Sequence, residues 1–394
     1  MKLLLIKIGK AWSVLKRDGL KSGGRRILSA LGSFTERVPE GDILLVSGGV
    51  GDSARYRTKH VAEELNLHGF RASYTVQDSP FFGETVERFR VIVFHRVVFT
   101  ESVARYIARA KELNRVIIFE TDDLVYDPKY LHLMDYYTKM NSLEKKLYEN
   151  GVGGEILADP YVEYATTSTT FLKHKLKERG KKVFLVTNKM CEEDVAWAEE
   201  IRQKTLEDGP RVEVRISYLS GTPSHNKDFA TITGALTRIL SEFPEARLVL
   251  AGPLDMEDAL NQYESQIIRV PFAPRKEYFA TVASADINVA PLEMNNDFCE
   301  AKSELKFFEA GLLGVPTVAV ANETYRGAIT DGVDGFVAAT EDEWYEKLKL
   351  LIVDTDLRKS MREKALETAL THYTTKNASS PEYYAFLQNA IESE

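Results

Sequence analysis

The sequence predicts an α/β protein built from two Rossmann-like domains, and three observations carry that prediction. From residue 42 onward, short apolar runs alternate with helical patterns, as in successive βαβ units with parallel strands. The alternation breaks once, in a polar stretch after Asn188, and then resumes, so the two halves are built alike. With 394 residues, 44% of them hydrophobic, the chain is long enough to bury more than one core.

In the first half, DILLVSGG (42–49) reads as a strand running into a glycine-rich turn, followed by an amphipathic helix over 53–68. Strands follow at 71–76 and 91–95, then a helix over 100–113 and a strand at 115–120 that leads directly into ETDDLVYDP. A Tyr- and Lys-rich helical stretch reaches about residue 149, and strands at 161–169 and 181–188 complete a domain spanning 39–188. Residues 189–210 read as a linker. The second domain, 211–376, starts with a strand into a loop (211–223) and continues with a helix (230–243), a strand (246–252), a helix (277–285) and a strand (286–292). It then holds a helix in CEAKSELKFFEAGLLGV, a strand at 316–321, and helices over 341–354 and 356–370. A last helix, 381–393 within the segment 377–394, has aromatic anchors and is expected to pack back on the N-terminal domain. Two open sheets of this kind imply a central cleft between the domains, and ligands of such sheets bind at the carboxyl ends of strands.

Only two cysteines, Cys191 and Cys299, are present, far apart in sequence, which argues against a disulfide framework and fits a reducing, cytoplasmic setting. No apolar run reaches the ~18–20 residues of a membrane span. The net charge of −8 conceals an asymmetry: residues 1–34 carry eight Lys or Arg against Asp18, a net of +7, interleaved with apolar residues. That basic amphipathic segment (1–38) is suited to the inner face of an anionic membrane as a peripheral contact. The rest of the chain is acidic and has no basic, aromatic-studded path, which argues against nucleic acid.

Four stretches of the second half, SGTPSHNKDF (220–229), ADINVAPL (285–292), KSELKFFEAGLLGVPTVA (302–319) and DGVDGFV (331–337), occur in the order and at about the spacing found in retaining GT-B glycosyltransferases of the large family 4. FETDD (119–123) resembles a stretch of the family's bacterial surface-polysaccharide members, and SARYRTKHVAEEL (53–65) its first helix. The resemblance covers roughly residues 40–375 and implies transfer of a hexose or deoxyhexose from a UDP-, GDP- or dTDP-sugar to a glycan or lipid-linked acceptor. It implies no cofactor and no metal, the nucleotide sugar being a substrate.

The chemistry of the residues agrees with that implication. A diphosphate needs backbone N–H donors, a helix N-terminus and cations. Gly221 permits close approach in a loop after a strand, and Lys227 stands where the family's phosphate lysine falls. Thr222 occupies the place of the family's arginine, so one cation is missing there. Lys302 and Lys306 can replace it: lysines in the first turn of a helix oppose its dipole unless an anion sits there. Ser303 can cap the same helix and donate to the same group. By resemblance, Glu309 matches the second glutamate of Glu-x7-Glu, assigned to the ribose; the first falls at Ala301, beside Glu300. Phe272, in RVPFAPRKEYF, is expected either beside the nucleobase or in the core.

On the acceptor side, Gly48, Gly49 and Gly51 form a flexible strand-end loop but not the Gly-x-Gly-x-x-Gly fingerprint of dinucleotide binding. Asp122 and Asp123 end a strand where paired carboxylates can bind acceptor hydroxyls or act as a base, with helix capping as the alternative for Asp123. His95 ends the preceding strand and is the third catalytic candidate. Two other functions remain open on the sequence: a nucleotide-sugar 2-epimerase of GT-B fold, and a non-catalytic partner subunit of a transferase.

Overall fold

The computed structural model describes residues 37–135, 137, 140, 142–207, 209, 211–221 and 225–393. The basic segment 1–34 lies outside them, as does Thr222. The chain divides into two units, the first gathering the described residues of 1–132, 137–189 and 378–394, the second those of 133–136 and 190–377.

In the first unit, six parallel strands lie in the order β2-β1-β3-β4-β5-β6. They are β1 (Ile43–Ser47), β2 (Ala72–Val76), β3 (Val91–His95), β4 (Val116–Thr121), β5 (Tyr164–Thr167) and β6 (Lys182–Leu185). β1 and β3 are buried at every position, as expected of parallel strands covered on both faces. The helix after β1 begins at Asp52–Ala54, passes through a π-helical turn, Arg55–Lys59, and continues as His60–Leu67. Thr100 and Thr169 cap the helices Glu101–Glu112 and Thr170–Lys177 by accepting from Val103 N and Leu172 N. The C-terminal helix Pro381–Glu392 belongs to this unit: Tyr383 and Leu387 enter the same apolar cluster as Ile43, Leu45, Leu65 and Val91.

Beneath that cluster lies a buried ion pair. Arg57, delivered inward by the π-helical turn, makes two bonds to the Glu120 carboxylate (Nε to Oε1, 2.8 Å; Nη2 to Oε2, 3.0 Å). Its Nη1 donates to Val186 O and Asn188 Oδ1, and Thr166 Oγ1 donates to the same carboxylate. The guanidinium thereby ties the first helix to the carboxyl ends of β4 and β6, and the Glu120 carboxylate adds β5 through Thr166.

The second unit repeats the plan, with parallel order β12-β11-β10-β7-β8-β9. Its strands are β7 (Val214–Leu219), β8 (Ala246–Ala251), β9 (Ile267–Val270), β10 (Ile287–Ala290), β11 (Thr317–Val320) and β12 (Gly335–Ala338). Strand β12 and a short helix, Glu323–Ala328, are additions to the sequence reading, and two of its loop regions differ. Residues 189–210 hold a helix, Glu192–Glu207, and 269–279 begins as the edge strand β9 before its loop. No helix among the described residues is long and apolar enough to cross a membrane.

Replacing Arg57 with Met leaves Glu120 as an uncompensated buried charge, for which a loss of about 3–5 kcal/mol is expected in urea unfolding. The double variant Arg57→Met/Glu120→Leu should recover most of that loss. A single variant within about 1 kcal/mol of wild type would remove the pair from its structural role.

Candidate functional site

In each sheet the strand order reverses once, and the carboxyl ends of the two strands flanking that point form a crevice suited to a ligand. In the second unit these strands are β7 and β10, which pair through Ile216–Ile287 and Ser217–Asn288. Asn288, a buried amide within an apolar strand, donates to the backbone carbonyl of Lys306 (3.1 Å) and to Thr317 Oγ1 (3.1 Å). It thereby fixes the first turn of the helix Leu305–Leu312. Lys306 extends from that turn to the end of β7, where its Nζ donates to Leu219 O at 2.5 Å and lies 5.0 Å from the centre of the Tyr218 ring. Burial pulls its pKa below the usual lysine value, with Glu309 and Asp228 opposing. Among the described residues, no carboxylate comes within ion-pair distance of this ammonium, so its charge is met by a carbonyl and a π-face.

A polar group stands beside it. Asp228 Oδ2 faces His225 Nδ1 at 2.9 Å, and its Oδ1 accepts from Glu293 N (3.1 Å) and Cys299 Sγ (3.3 Å), joining the loops after β7 and β10. Burial alone would raise the Asp228 pKa, but the hydrogen bond from His225 and these further donors bring it below the usual carboxylate value. Burial lowers the His225 pKa, and the nearby charges of Lys306 and Lys302 lower it further. Lys302 is half-buried, with Nζ 4.4 Å from the Phe298 ring centre. Gly252, at φ 86°, lets the loop after β8 touch the one after β7; a Cβ there would lie 1.9 Å from Ser220 O.

The other donor-side candidates are distributed unevenly around this point. Gly221 is two residues beyond Leu219, and a Cβ on it would meet open space. Lys227 is 62% exposed and reaches toward Asp135, at 3.9 Å. Phe272 is half-buried and follows β9, which β8 separates from β7. Glu309, one turn after Lys306, accepts from Tyr278 Oη (2.8 Å) and Arg275 Nη1 (3.3 Å), while Arg275 also grips Asp194 at 2.7 and 2.8 Å. A ribose at Glu309 would share the carboxylate with these donors. The expected continuous helix through Lys302 and Ser303 is broken. Asn296 caps a short helix, Asp297–Glu300; the chain then turns, and the next helix takes Glu304, not Ser303, at its N-cap. Lys302 and Ser303 therefore sit in the turn, and only Lys306 lies in the first helical turn.

In the first unit the reversal falls between β1 and β3, which pair with Ser47 opposite His95. A Cβ on Gly48 would lie 1.8 Å from Arg96 O, so glycine is needed for the two strand-end loops to meet. Arg96 adopts the left-handed conformation (φ 47°) and turns its guanidinium onto Asp122 Oδ1 (2.5 Å) and Asp123 Oδ2 (3.3 Å). Ser53 Oγ stands 2.9 Å from both Asp122 Oδ2 and His95 Nε2. The structure thus gathers His95, Asp122 and Asp123, and adds Ser53 and Arg96. Asp123 also caps the 3-10 turn Leu124–Tyr126 by accepting from Leu124 N.

Burial would raise the Asp122 pKa, yet Arg96, with help from His95, Arg57 and Ser53, holds it well below the usual carboxylate value. The fully buried His95 imidazole is pushed down to about 3, chiefly by burial, with Asp122 opposing and Arg96 and Arg57 adding to the shift. At neutral pH this arrangement offers an ionised acceptor at Asp122 and an uncharged imidazole. Ser53 and Arg96 carry no sequence signal beyond their positions directly after glycine-rich and strand-end segments.

Two six-stranded parallel sheets, each with one reversal, give the chain the GT-B fold, as its likeness to solved structures shows. Residues 233–379 match a family model described as glycosyl transferase-like. Among solved structures, Alr3699/HepE of Anabaena in complex with UDP aligns with 88% of this chain and 100% of its own at 12% identity and a TM-score of 0.58; it is also known with UDP and glucose and with UDP-glucose. A glycosyltransferase from Rickettsia africae ESF-5 aligns with 90% of this chain and 100% of its own, at 13% identity and a TM-score of 0.60. For sucrose-phosphate synthase from Thermosynechococcus elongatus the values are 89%, 100%, 12% and 0.58. No protein of curated function matches the chain by sequence.

A histidine kept neutral by folding destabilises the fold in acid. The unfolded chain takes up the His95 proton near 6.5, whereas the folded chain does so only near 3, so stability is full above about 6.5 and falls as pH drops toward 3. Urea unfolding at pH 7.5 and 5.0 should show a smaller loss for His95→Asn than for wild type. Equal losses would mean that His95 titrates normally in the folded chain.

Proposed function

We propose that this protein is a retaining glycosyltransferase, resembling family 4, which moves a hexose or deoxyhexose from a nucleoside-diphosphate sugar to a glycan or lipid-linked acceptor in bacterial surface polysaccharide synthesis. The observation that carries this reading is Lys306, a desolvated ammonium at the carboxyl end of β7 whose closest partner is a carbonyl. A diphosphate oxygen there would supply the counter-charge the site lacks, and Lys302 stands close enough to influence the same polar group. Lys227, exposed beside the same loop, and the Gly221 backbone would complete the cradle. The nucleotides bound by HepE are of the class this cradle suits.

In the reaction, the acceptor oxygen bonds to the anomeric carbon on the face from which the diphosphate departs. The bond from that carbon to the diphosphate oxygen breaks, and the hydroxyl proton passes to the departing diphosphate. The lysines lower the barrier by stabilising negative charge on the leaving group. Asp122 is too weak a base at neutral pH to remove the proton efficiently, because Arg96 stabilises its ionised form. Its role in this scheme is to receive hydrogen bonds from the acceptor, with Asp123 and His95 shaping its surroundings.

Lys306→Ala and Lys302→Ala should each weaken binding of the matching nucleoside diphosphate by about 1.5–3 kcal/mol, tenfold or more, in calorimetric titrations with UDP, GDP and dTDP. Affinities equal to wild type would refute the cradle. Conversion of the sugar nucleotide to an isomer without acceptor would assign the epimerase reaction instead. The +7 charge of residues 1–34 supports contact with an anionic membrane surface. The chain should sediment with phosphatidylglycerol vesicles at low salt and be released by about 1 M salt; equal sedimentation with phosphatidylcholine vesicles would contradict that.

A further inference from the structure

The polar group at the end of β3 and β4 determines where its protons reside. Ser53 has one hydroxyl proton and two neighbours at 2.9 Å, Asp122 Oδ2 and His95 Nε2. Asp122, bound by Arg96 Nε at 2.5 Å, is ionised and can only accept. Ser53 must therefore donate to Asp122, since the alternative would set an oxygen lone pair against a carboxylate. The serine oxygen is then left to accept, and the imidazole proton belongs on Nε2. Among the described residues, buried His95 Nδ1 meets no hydrogen-bond partner; Glu120 Oε1 lies 3.9 Å away and already accepts from Arg57. Without the serine, Nε2 faces Asp122 Oδ1 at 3.9 Å just as Nδ1 faces Glu120 Oε1 at 3.9 Å, so the preference for the Nε2–H tautomer is lost.

The same bonds leave part of Asp122 available. Of the roughly four lone-pair positions on a carboxylate, Ser53 and Arg96 take two. The Asp122 side chain is 14% exposed, at the carboxyl end of β4, one strand from the point of reversal.

We propose that Ser53 is a positioning residue: its hydroxyl locks His95 as the Nε2–H tautomer and holds Asp122 so that its remaining lone pairs receive a hydroxyl of a sugar acceptor. The first half of this inference is independent of the reaction, whereas the second rests on the glycosyl-transfer reading. Ser53 contributes to how the acceptor is seated and not to how the donor is activated.

Selective 15N labelling of the histidines, with His95 assigned by comparison with His95→Asn, reads the tautomer in the full chain without ligand. Wild type should show a protonated Nε2 and a bare Nδ1; Ser53→Ala should show the proton shared between Nε2 and Nδ1, and Ser53→Thr, which retains the hydroxyl, should restore the wild-type pattern. A protonated Nδ1 in wild type, or an Nε2–H pattern unchanged in Ser53→Ala, would overturn the lock. In kinetics, Ser53→Ala should raise the acceptor KM by about fivefold to tenfold while slow hydrolysis of the sugar nucleotide in water is retained. Equal loss of hydrolysis and transfer, or an unchanged acceptor KM, would overturn the acceptor role. A wild-type chain that turns over no sugar nucleotide at all would instead refute glycosyl transfer, and with it the acceptor role, leaving the tautomer result to stand by itself. Thermal unfolding of the Ala and Thr variants identifies a folding defect, and the Thr variant carries the test if Ala does not fold.

Discussion

A parallel sheet whose strand order reverses leaves a crevice at one point on its carboxyl edge, because the connections leaving the two flanking strands pass to opposite faces. Both sheets of this chain are built around that constraint, at β1/β3 and at β7/β10. At β1/β3 a glycine, Gly48, lets the backbone nearly touch that of Arg96; at the neighbouring β7/β8 ends Gly252 does the same against Ser220. Each crevice is then lined with charged or polar groups from the loops that the reversal brings together.

The two crevices use charge in opposite ways. Around Asp122 no positive charge is left over: the two carboxylates Asp122 and Asp123 face one guanidinium, Arg96, and the nearby Glu120 carboxylate faces Arg57. That balance favours an uncharged, hydrogen-bonding ligand such as a sugar hydroxyl. Around Lys306 the local charge is incompletely matched, since Asp228 is engaged by His225, Glu293 and Cys299, and Glu309 by Arg275 and Tyr278. An anionic ligand is the complement of such a site. Burying an ammonium without a close carboxylate costs stability, a cost that an arriving phosphate would offset.

Much of this architecture was legible in the residues. ILLVS, VIVFH and TVAV announce buried parallel strands because they are apolar on both faces, and their order along the chain follows the βαβ rule. The edge strand IIRV escaped because it is short, half-exposed and followed by a proline-containing loop. The helix Glu192–Glu207 resembled a connection because its charges outnumber its apolar anchors, of which Ala198 and Ile201 are buried. At the site, Lys306 stood out because a lysine in the first turn of an otherwise apolar helix opposes the dipole. Ser53, Arg96 and the Arg57–Glu120 pair were not legible, since their partners lie 26 to 69 residues away; His225 meets Asp228 only three residues on, but its role depends on the burial of that pair. Glu120 within an apolar strand and Asn288 within another were the available hints: a polar group at a buried strand position requires a partner.

The account rests on the Lys306 ammonium being a receptor for phosphate. A crystal structure of the full chain with a saturating nucleoside diphosphate tests this most directly. A phosphate oxygen within hydrogen-bond distance of Lys306 Nζ, at the carboxyl end of β7 near Gly221, is the expected result. A diphosphate bound elsewhere, with Lys306 still seated on the Leu219 carbonyl, would contradict the account.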